Sequence, residues 1–145
     1  MAQVRVARPS VGEVPRAVQA PMNTPQSPDA FTIERHGELT LVSANPALET
    51  LEFGLDEQVA ELIMDPIRNQ DGPLVVFDLS EVDYFGSMFL AVLLRCWKLS
   101  LTQGGMMVLA GVSERARELL RITSLDMVWP MYATRREAME ALLAD

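Results

Sequence analysis

Ser87 is the residue best placed to take part in chemistry, because it stands where a polar loop leads into a predicted helix. The first N–H groups of a helix have no acceptors within the helix, and the helix dipole favours an anion at that end. A serine hydroxyl there could cap the helix. It could also carry a phosphate, which adds about −1.5 to −2 charges and three acceptor oxygens. The position therefore allows two interpretations, a helix cap and a phosphate acceptor.

Two acidic residues, Asp78 and Asp83, flank the same loop. Carboxylates at the end of a strand could hold Mg²⁺, as they do in receiver-type phosphorelay domains. Such a domain also needs an acidic cluster on an early strand and a lysine on a late strand, and the sequence has neither. We therefore expect Asp78 and Asp83 to order the loop by accepting hydrogen bonds from backbone N–H groups.

The remaining reactive side chains do not form a recognisable catalytic or metal-binding set. His36 is the only histidine and adjoins Gly37 in a predicted turn, whereas most metal sites need several clustered ligands. Cys96 is the only cysteine and lies in an apolar run, so neither a disulfide within the chain nor a CxxC motif is available. The phosphate-binding and nucleophile motifs GxxxxGK[ST], GxGxxG and GxSxG are missing. We expect no enzymatic activity, no bound metal and no cofactor.

The elements that position Ser87 follow from the periodicity of apolar residues. Alternation on both sides of His36-Gly37 predicts a hairpin, and continuous apolar runs at 74–79 and 106–110 predict strands buried on both faces. Ser113 and Thr134 are predicted helix N-caps, Thr134 with Glu137 in a capping-box pattern. The predicted strands are 31–35, 38–43, 74–79, 106–110 and 127–132, and the predicted helices are 55–64, 87–101, 113–123 and one that begins at Thr134. This order predicts an α/β domain with a mixed, largely parallel sheet, an N-terminal hairpin and four packed helices.

Composition limits the domain organisation and the partners. The 145 residues carry a net charge of −8 and no basic cluster, so direct binding to nucleic acid is not expected. The longest apolar run, 88–94, is too short to insert into a membrane, and we expect a cytoplasmic protein. Residues 1–29 contain five prolines and no aromatic residue. We interpret them as a disordered tail that is dispensable for folding, and 30–145 as the domain.

Three segments together resemble a known family. Residues 74–94 read Leu-Val-Val-Phe-Asp-Leu-Ser-Glu-Val-Asp-Tyr-Phe-Gly-Ser-Met-Phe-Leu-Ala-Val-Leu-Leu, a buried strand, a loop and an apolar helix. Residues 105–113 supply the next strand and its turn, and residues 120–126 a helix-to-strand corner. This pattern resembles the STAS domain of bacterial anti-sigma factor antagonists, and it covers about 70 residues well and the first half of the chain by topology.

The resemblance implies a function and a set of partners. In that family the first serine of an Asp-Ser-Ser-Gly turn is phosphorylated, and that serine falls on Ser87, while Gly86, Met88 and Phe89 replace its neighbours. The unphosphorylated protein would sequester an anti-sigma factor that is also a serine kinase of histidine-kinase-like ATPase fold, and so free a sigma factor. A serine phosphatase would reset the switch. STAS-like domains also serve as constitutive scaffolds or accessory subunits in stress-signalling assemblies and lipid-transport complexes, and there Ser87 would be structural.

The helix after Ser87 is predicted to present one face to the sheet and another to a partner. Apolar residues at i, i+3, i+4, i+7 and i+11 are expected to face the sheet: Leu90, Leu93, Leu94, Trp97 and Leu101. A second row, Met88, Val92, Arg95 and Leu99, lies elsewhere and could be exposed for docking or covered by a neighbouring helix or the tail. The expected partner-binding residues are Gly86, Met88, Phe89, Val92 and Arg95.

Overall fold

The structure is a computed structural model that describes residues 31–51 and 54–144. The tail predicted at 1–29 lies outside the described residues and stays a prediction. Short 3-10 turns occur at Pro46–Thr50 and Leu125–Met127. The strands are β1 Phe31–His36, β2 Leu39–Ala44, β3 Leu74–Asp78, β4 Met106–Ala110 and β5 Met131–Tyr132, and the helices are α1 Leu55–Met64, α2 Ser87–Thr102, α3 Glu114–Ile122 and α4 Arg135–Leu143.

The five strands form one sheet in the order β1-β2-β3-β4-β5. β1 pairs antiparallel with β2, and the other three pairings are parallel. The predicted fold class is therefore confirmed, including the N-terminal hairpin and the four helices. The carboxyl ends of β2, β3 and β4 meet at one edge, here called the carboxyl edge, at Ala44, Asp78 and Ala110. Phe31 lies at this edge as well, because it pairs with Ala44.

The two faces of the sheet are covered unequally. Alternation along β3 directs Val75 and Phe77 to one face and Val76 to the other. The first face carries the main core, which α1, α2 and α3 cover with the buried residues Val59, Ile63, Phe89, Leu93, Ala116 and Leu120. The second face packs against α4 through a smaller cluster of Leu39, Leu41, Val76, Val108 and Ala138. This division places the start of α2 and the whole of α4 on opposite sides of the sheet.

The predicted caps of α3 and α4 are confirmed. The Ser113 hydroxyl accepts a hydrogen bond from the Ala116 N–H at 3.0 Å. The Thr134 hydroxyl accepts one from the Glu137 N–H at 3.1 Å. Each cap satisfies an N–H group that the first turn of its helix leaves without a partner.

The predicted last strand, 127–132, is wrong in extent. Only Met131–Tyr132 pairs with β4, and Met127 belongs to a 3-10 turn. Trp129 is instead a core residue, whose ring meets that of Trp97 edge to face at 6.3 Å between centroids. Pro130 follows it and has no N–H to give to a sheet. The apolar character of this run therefore reflects packing rather than strand pairing.

The predicted sheet-facing side of α2 is also wrong by about one residue. The fully buried positions are Phe89, Val92, Leu93, Cys96 and Ser100, whereas Leu101 is 50% exposed. Nine of the ten residues 88–97 are apolar, so the period alone fits several neighbouring faces. The contacts with α1 and with β4 select the face that is buried.

Candidate functional site

Ser87 is the first residue of α2, and Gly86 is the N-cap. The expectation that the Ser87 hydroxyl caps the helix is therefore wrong, since the cap residue has no side chain and makes no side-chain cap bond. The Ser87 side chain is exposed, and it makes no hydrogen bond with any other residue that the structure describes. A free hydroxyl at this position is open to a modifying enzyme, and a phosphate there would lie at the positive end of the helix dipole.

The loop that leads to Ser87 is held by a buried side chain at every third residue. Leu79, Val82 and Phe85 are each at most 1% exposed. The Phe85 ring meets the Phe89 ring edge to face, with centroids 5.1 Å apart. The polar residues between them face solvent, so the apolar ones fix the path of the loop into α2.

Asp83 joins this loop to two other segments. Its N–H donates to the Glu49 carboxylate at 2.8 Å, and its C=O accepts from the Ser113 hydroxyl at 2.5 Å. Its carboxylate pairs with Arg115 at 3.0 Å, and the Arg115 guanidinium lies 4.7 Å from the centre of the Tyr84 ring. The prediction that the Asp83 carboxylate accepts hydrogen bonds from backbone N–H groups is wrong. The carboxylate binds a guanidinium, and the Asp83 backbone makes the other contacts.

Asp78 has a different environment, at the end of β3 and 4% exposed. One carboxylate oxygen accepts from the Ser80 N–H at 3.1 Å, which ties it to the loop. The other accepts from Arg135 Nε at 2.7 Å, and the same guanidinium donates to the Ser43 hydroxyl at 3.2 Å. No local sequence pattern linked Arg135 to Asp78, because the two residues lie 57 positions apart. Among the described residues no group of three or more His, Cys, Asp or Glu side chains could hold a metal ion.

The predicted partner-binding row is only partly at the surface. Gly86 and Arg95 are exposed, and Met88 is partly exposed. Phe89 and Val92 are 0% exposed, so their placement on a docking surface is corrected. Both point into the main core, where their apolar area is removed from water. Arg95 is paired with Glu57 of α1 at 3.1 Å.

An open groove, which no sequence pattern predicted, lies beside the loop. It has a volume of about 490 Å³. Its residues come from the loop and from one side of α3: Tyr84, Glu114, Arg115, Glu118, Leu119 and Ile122. The sequence signal for this groove was Ile122. Ala116 and Leu120 define the side of α3 that faces the core, and the apolar Ile122 lies outside it.

Cys96 should resist thiol reagents in the folded protein. It is fully buried in α2, and burial raises the pKa of its thiol to about 12, although the nearby Arg95 guanidinium acts in the opposite direction. The reactive thiolate is therefore scarce at pH 8, and reagent has no path to it. We expect native protein to react far more slowly with iodoacetamide than protein unfolded in urea, measured by intact mass. Equal rates in the two states would contradict this placement of Cys96.

No helix in the part of the chain that the structure describes has both the length and the apolar character needed to cross a membrane.

Comparisons with known proteins agree with this architecture. A sequence model of the STAS domain matches residues 21–138. A solved structure of an anti-sigma-factor antagonist (STAS) domain protein from Planctomyces limnophilus is 30% identical, with 79% of this chain and 98% of that chain covered and a TM-score of 0.70. Below 25% identity, a candidate anti-sigma factor antagonist from Thermotoga maritima (22% identity, 77% and 93% covered, TM-score 0.66) and the antagonist SpoIIAA in its unphosphorylated form (19% identity, 77% and 95% covered, TM-score 0.64) share the fold. A comparison with curated proteins finds no match. The chain belongs to the STAS domain family.

Proposed function

We propose that this protein is an anti-sigma factor antagonist whose binding is switched by phosphorylation of Ser87. The observation that carries the proposal is the exposed Ser87 hydroxyl, which makes no hydrogen bond with any residue that the structure describes. It lies at the first residue of α2, directly after a loop that buried side chains hold in place. Its place in the chain corresponds to the phosphorylated serine of the family pattern. The unphosphorylated protein sequesters an anti-sigma factor and thereby frees a sigma factor, which places its action in the cytoplasm.

The proposed partner is a serine kinase of histidine-kinase-like ATPase fold, which supplies the ATP, and a serine phosphatase restores the unmodified state. The protein itself acts as a binding module and not as an enzyme. Phosphorylation would add about −1.5 to −2 charges to a surface that must lose water on binding. Burying a charge without a partner is costly, so the phosphorylated form binds more weakly.

The three residues that depart from the family pattern have different roles in this proposal. Phe89 is buried against Phe85, so it acts in packing and not in recognition by a kinase. Gly86 and Met88 are within reach of a partner. A Cβ added at Gly86 would meet no atom within 4 Å, so the cap position has room for the side chain that the family carries there. Recognition of this chain therefore depends on a kinase that accepts Gly86 and Met88.

A constitutive scaffold is the second candidate, and the partly exposed Met88 favours it. An apolar side chain beside the serine, in place of the small residue of the family, suits a permanent interface. Ser87 would then contribute only to the surface shape. The two candidates differ in one measurable respect, because only the switch requires that phosphorylation change the affinity.

A calorimetric titration of the partner separates the two functions. The partner is first recovered from native cells by pull-down with and without ATP. We expect the phosphorylated protein to bind it at least about tenfold more weakly than the unmodified protein, a difference of roughly 1.4 kcal/mol. Ser87→Asp should weaken binding more than Ser87→Ala, because only the first adds a charge.

Met88→Glu should also weaken the complex. The matched control is Met106→Glu, which changes a methionine that is 41% exposed at the opposite edge of the sheet. Circular dichroism confirms that each variant is folded. Equal affinity of the phosphorylated and unmodified proteins for every recovered partner would replace the switch with the scaffold.

A further inference from the structure

Several exposed apolar side chains line the groove beside the loop. Ile122 is 68% exposed and Tyr84 is 39% exposed, and Leu119 of α3 is half-buried. Single exposed apolar residues are ordinary, but several along one groove mark a surface that binds something. No other described residue fills the groove.

The charge that remains free at the groove is negative. The Arg115 guanidinium is engaged by Asp83 and by the Tyr84 ring. Glu118 is paired with Arg121. The Glu114 carboxylate has no ion pair or hydrogen bond with any described residue. An occupant with apolar side chains and a positive charge would therefore match the groove.

The sequence of the chain contains such a segment, Val4-Arg5-Val6-Ala7-Arg8. In an extended chain successive side chains point to opposite sides, so Val4, Val6 and Arg8 would share one side and Arg5 would lie on the other. Residues 1–20 contain three arginines and one glutamate and carry a net charge of +2, so the remaining residues carry −10. These first 20 residues also precede the part that matches the STAS domain.

We propose that residues 4–8 of this chain bind in the groove formed by Tyr84, Leu119 and Ile122, with Arg8 near Glu114. The valines cover the apolar floor, Arg5 points away from it, and Arg8, the next residue on the valine side, reaches the acidic rim beyond Val6. The contact is reversible, in keeping with the expectation that the segment is dispensable for folding.

The position of Phe31, where β1 begins, permits this contact. Phe31 lies at the carboxyl edge, where the loop before Ser87 and the first residue of α3 also lie. With strands about 4.8 Å apart, β1 is roughly 10–14 Å from β3 and β4, the strands that precede the loop and α3. A chain of roughly 22 residues can span up to about 75 Å, so the segment can reach the groove. Because the segment and the groove belong to one chain, the contact is intramolecular, and even a weak contact is populated.

Paramagnetic relaxation in the full chain tests the proposal. A nitroxide is attached to Ala2→Cys, beside the binding segment, and native Cys96 is buried and stays unlabelled. We expect loss of amide signal intensity in the loop before Ser87 and along α3, compared with the reduced nitroxide. The amides of α4, on the opposite face, should keep their intensity.

Two charge variants sharpen the test without touching the folded domain. Arg5→Glu with Arg8→Glu should restore the α3 signals, whereas the matched control Arg16→Glu should leave the loss unchanged. Intensity loss spread evenly over the surface, or confined to another face, would overturn the proposal. Loss that also appears when spin-labelled protein is mixed with isotope-labelled protein lacking a nitroxide would assign the groove to a second copy instead.

If the proposed function holds as well, residues 4–8 compete with the partner for the surface next to Ser87. The relaxation experiment contains no partner and no phosphate, so its result is independent of the switch. Failure of the phosphorylation test leaves the contact standing, and failure of the relaxation test leaves the switch standing.

Discussion

Ser87→Ala is expected to abolish the incorporation of phosphate by the cognate kinase. The reason is geometric, since the Ser87 hydroxyl is exposed, lies at the positive end of α2 and hydrogen-bonds to none of the described residues. The Ser113 hydroxyl near the carboxyl edge is less available, because it both caps α3 and donates to Asp83. Labelling with radioactive ATP, followed by mass spectrometry of the modified peptide, measures the effect.

The matched control is Ser80→Ala. Ser80 is exposed in the same loop but lies at its other end, next to β3. Its backbone N–H, which binds Asp78, is kept in the variant. We expect labelling of Ser80→Ala to equal that of the unmodified chain. Undiminished labelling of Ser87→Ala would assign the phosphate to another residue and remove the basis of the switch.

Arg135→Ala is expected to lower the free energy of unfolding by about 3 kcal/mol, because it leaves a buried carboxylate without its counter-charge. Asp78 is 4% exposed and accepts from Arg135 at 2.7 Å. After the substitution the Ser80 N–H is the one hydrogen-bond donor to it that remains among residues 31–51 and 54–144. Urea unfolding followed by circular dichroism should show a lower midpoint with an unchanged slope.

The neighbouring arginine provides the control. Arg136 pairs with Glu140 at the surface, where it is 83% exposed. Exposed pairs of this kind contribute about 0–1 kcal/mol, so Arg136→Ala should change the midpoint little. Asp78→Asn combined with Arg135→Ala should recover part of the loss, because the buried group is then neutral. Equal midpoints for Arg135→Ala and Arg136→Ala would show that the ion pair contributes no stability.

Local sequence patterns predicted much of the fold. The hairpin was predictable from alternation around Gly37, and α1 from a helical period that ends before Asp71-Gly72-Pro73. The caps at Ser113 and Thr134 were predictable from residue type, since each acts within three residues along the chain. The βα order then predicted the parallel pairings.

The parts that could not be predicted depend on contacts between distant segments. The buried side of α2 is selected by its neighbours, because a helix that is apolar nearly all around has no distinct period. The pairs Asp78–Arg135 and Asp83–Arg115 join residues 57 and 32 positions apart, and no local rule links them. The cap at Gly86 was missed because a serine stands next to it, and residue preference favours serine as a cap over the glycine before it.

The two oxygens of Asp78 have a consequence for communication across the sheet. One oxygen binds the loop that leads to Ser87, and the other binds Arg135 at the start of α4 on the opposite face. A single carboxylate therefore connects the loop with α4. Coupling between sites is reciprocal, so any free energy by which a partner on the loop shifts α4 equals that by which a ligand at Arg135 shifts the loop. In this molecule α4 is the natural place from which a second signal could tune the first.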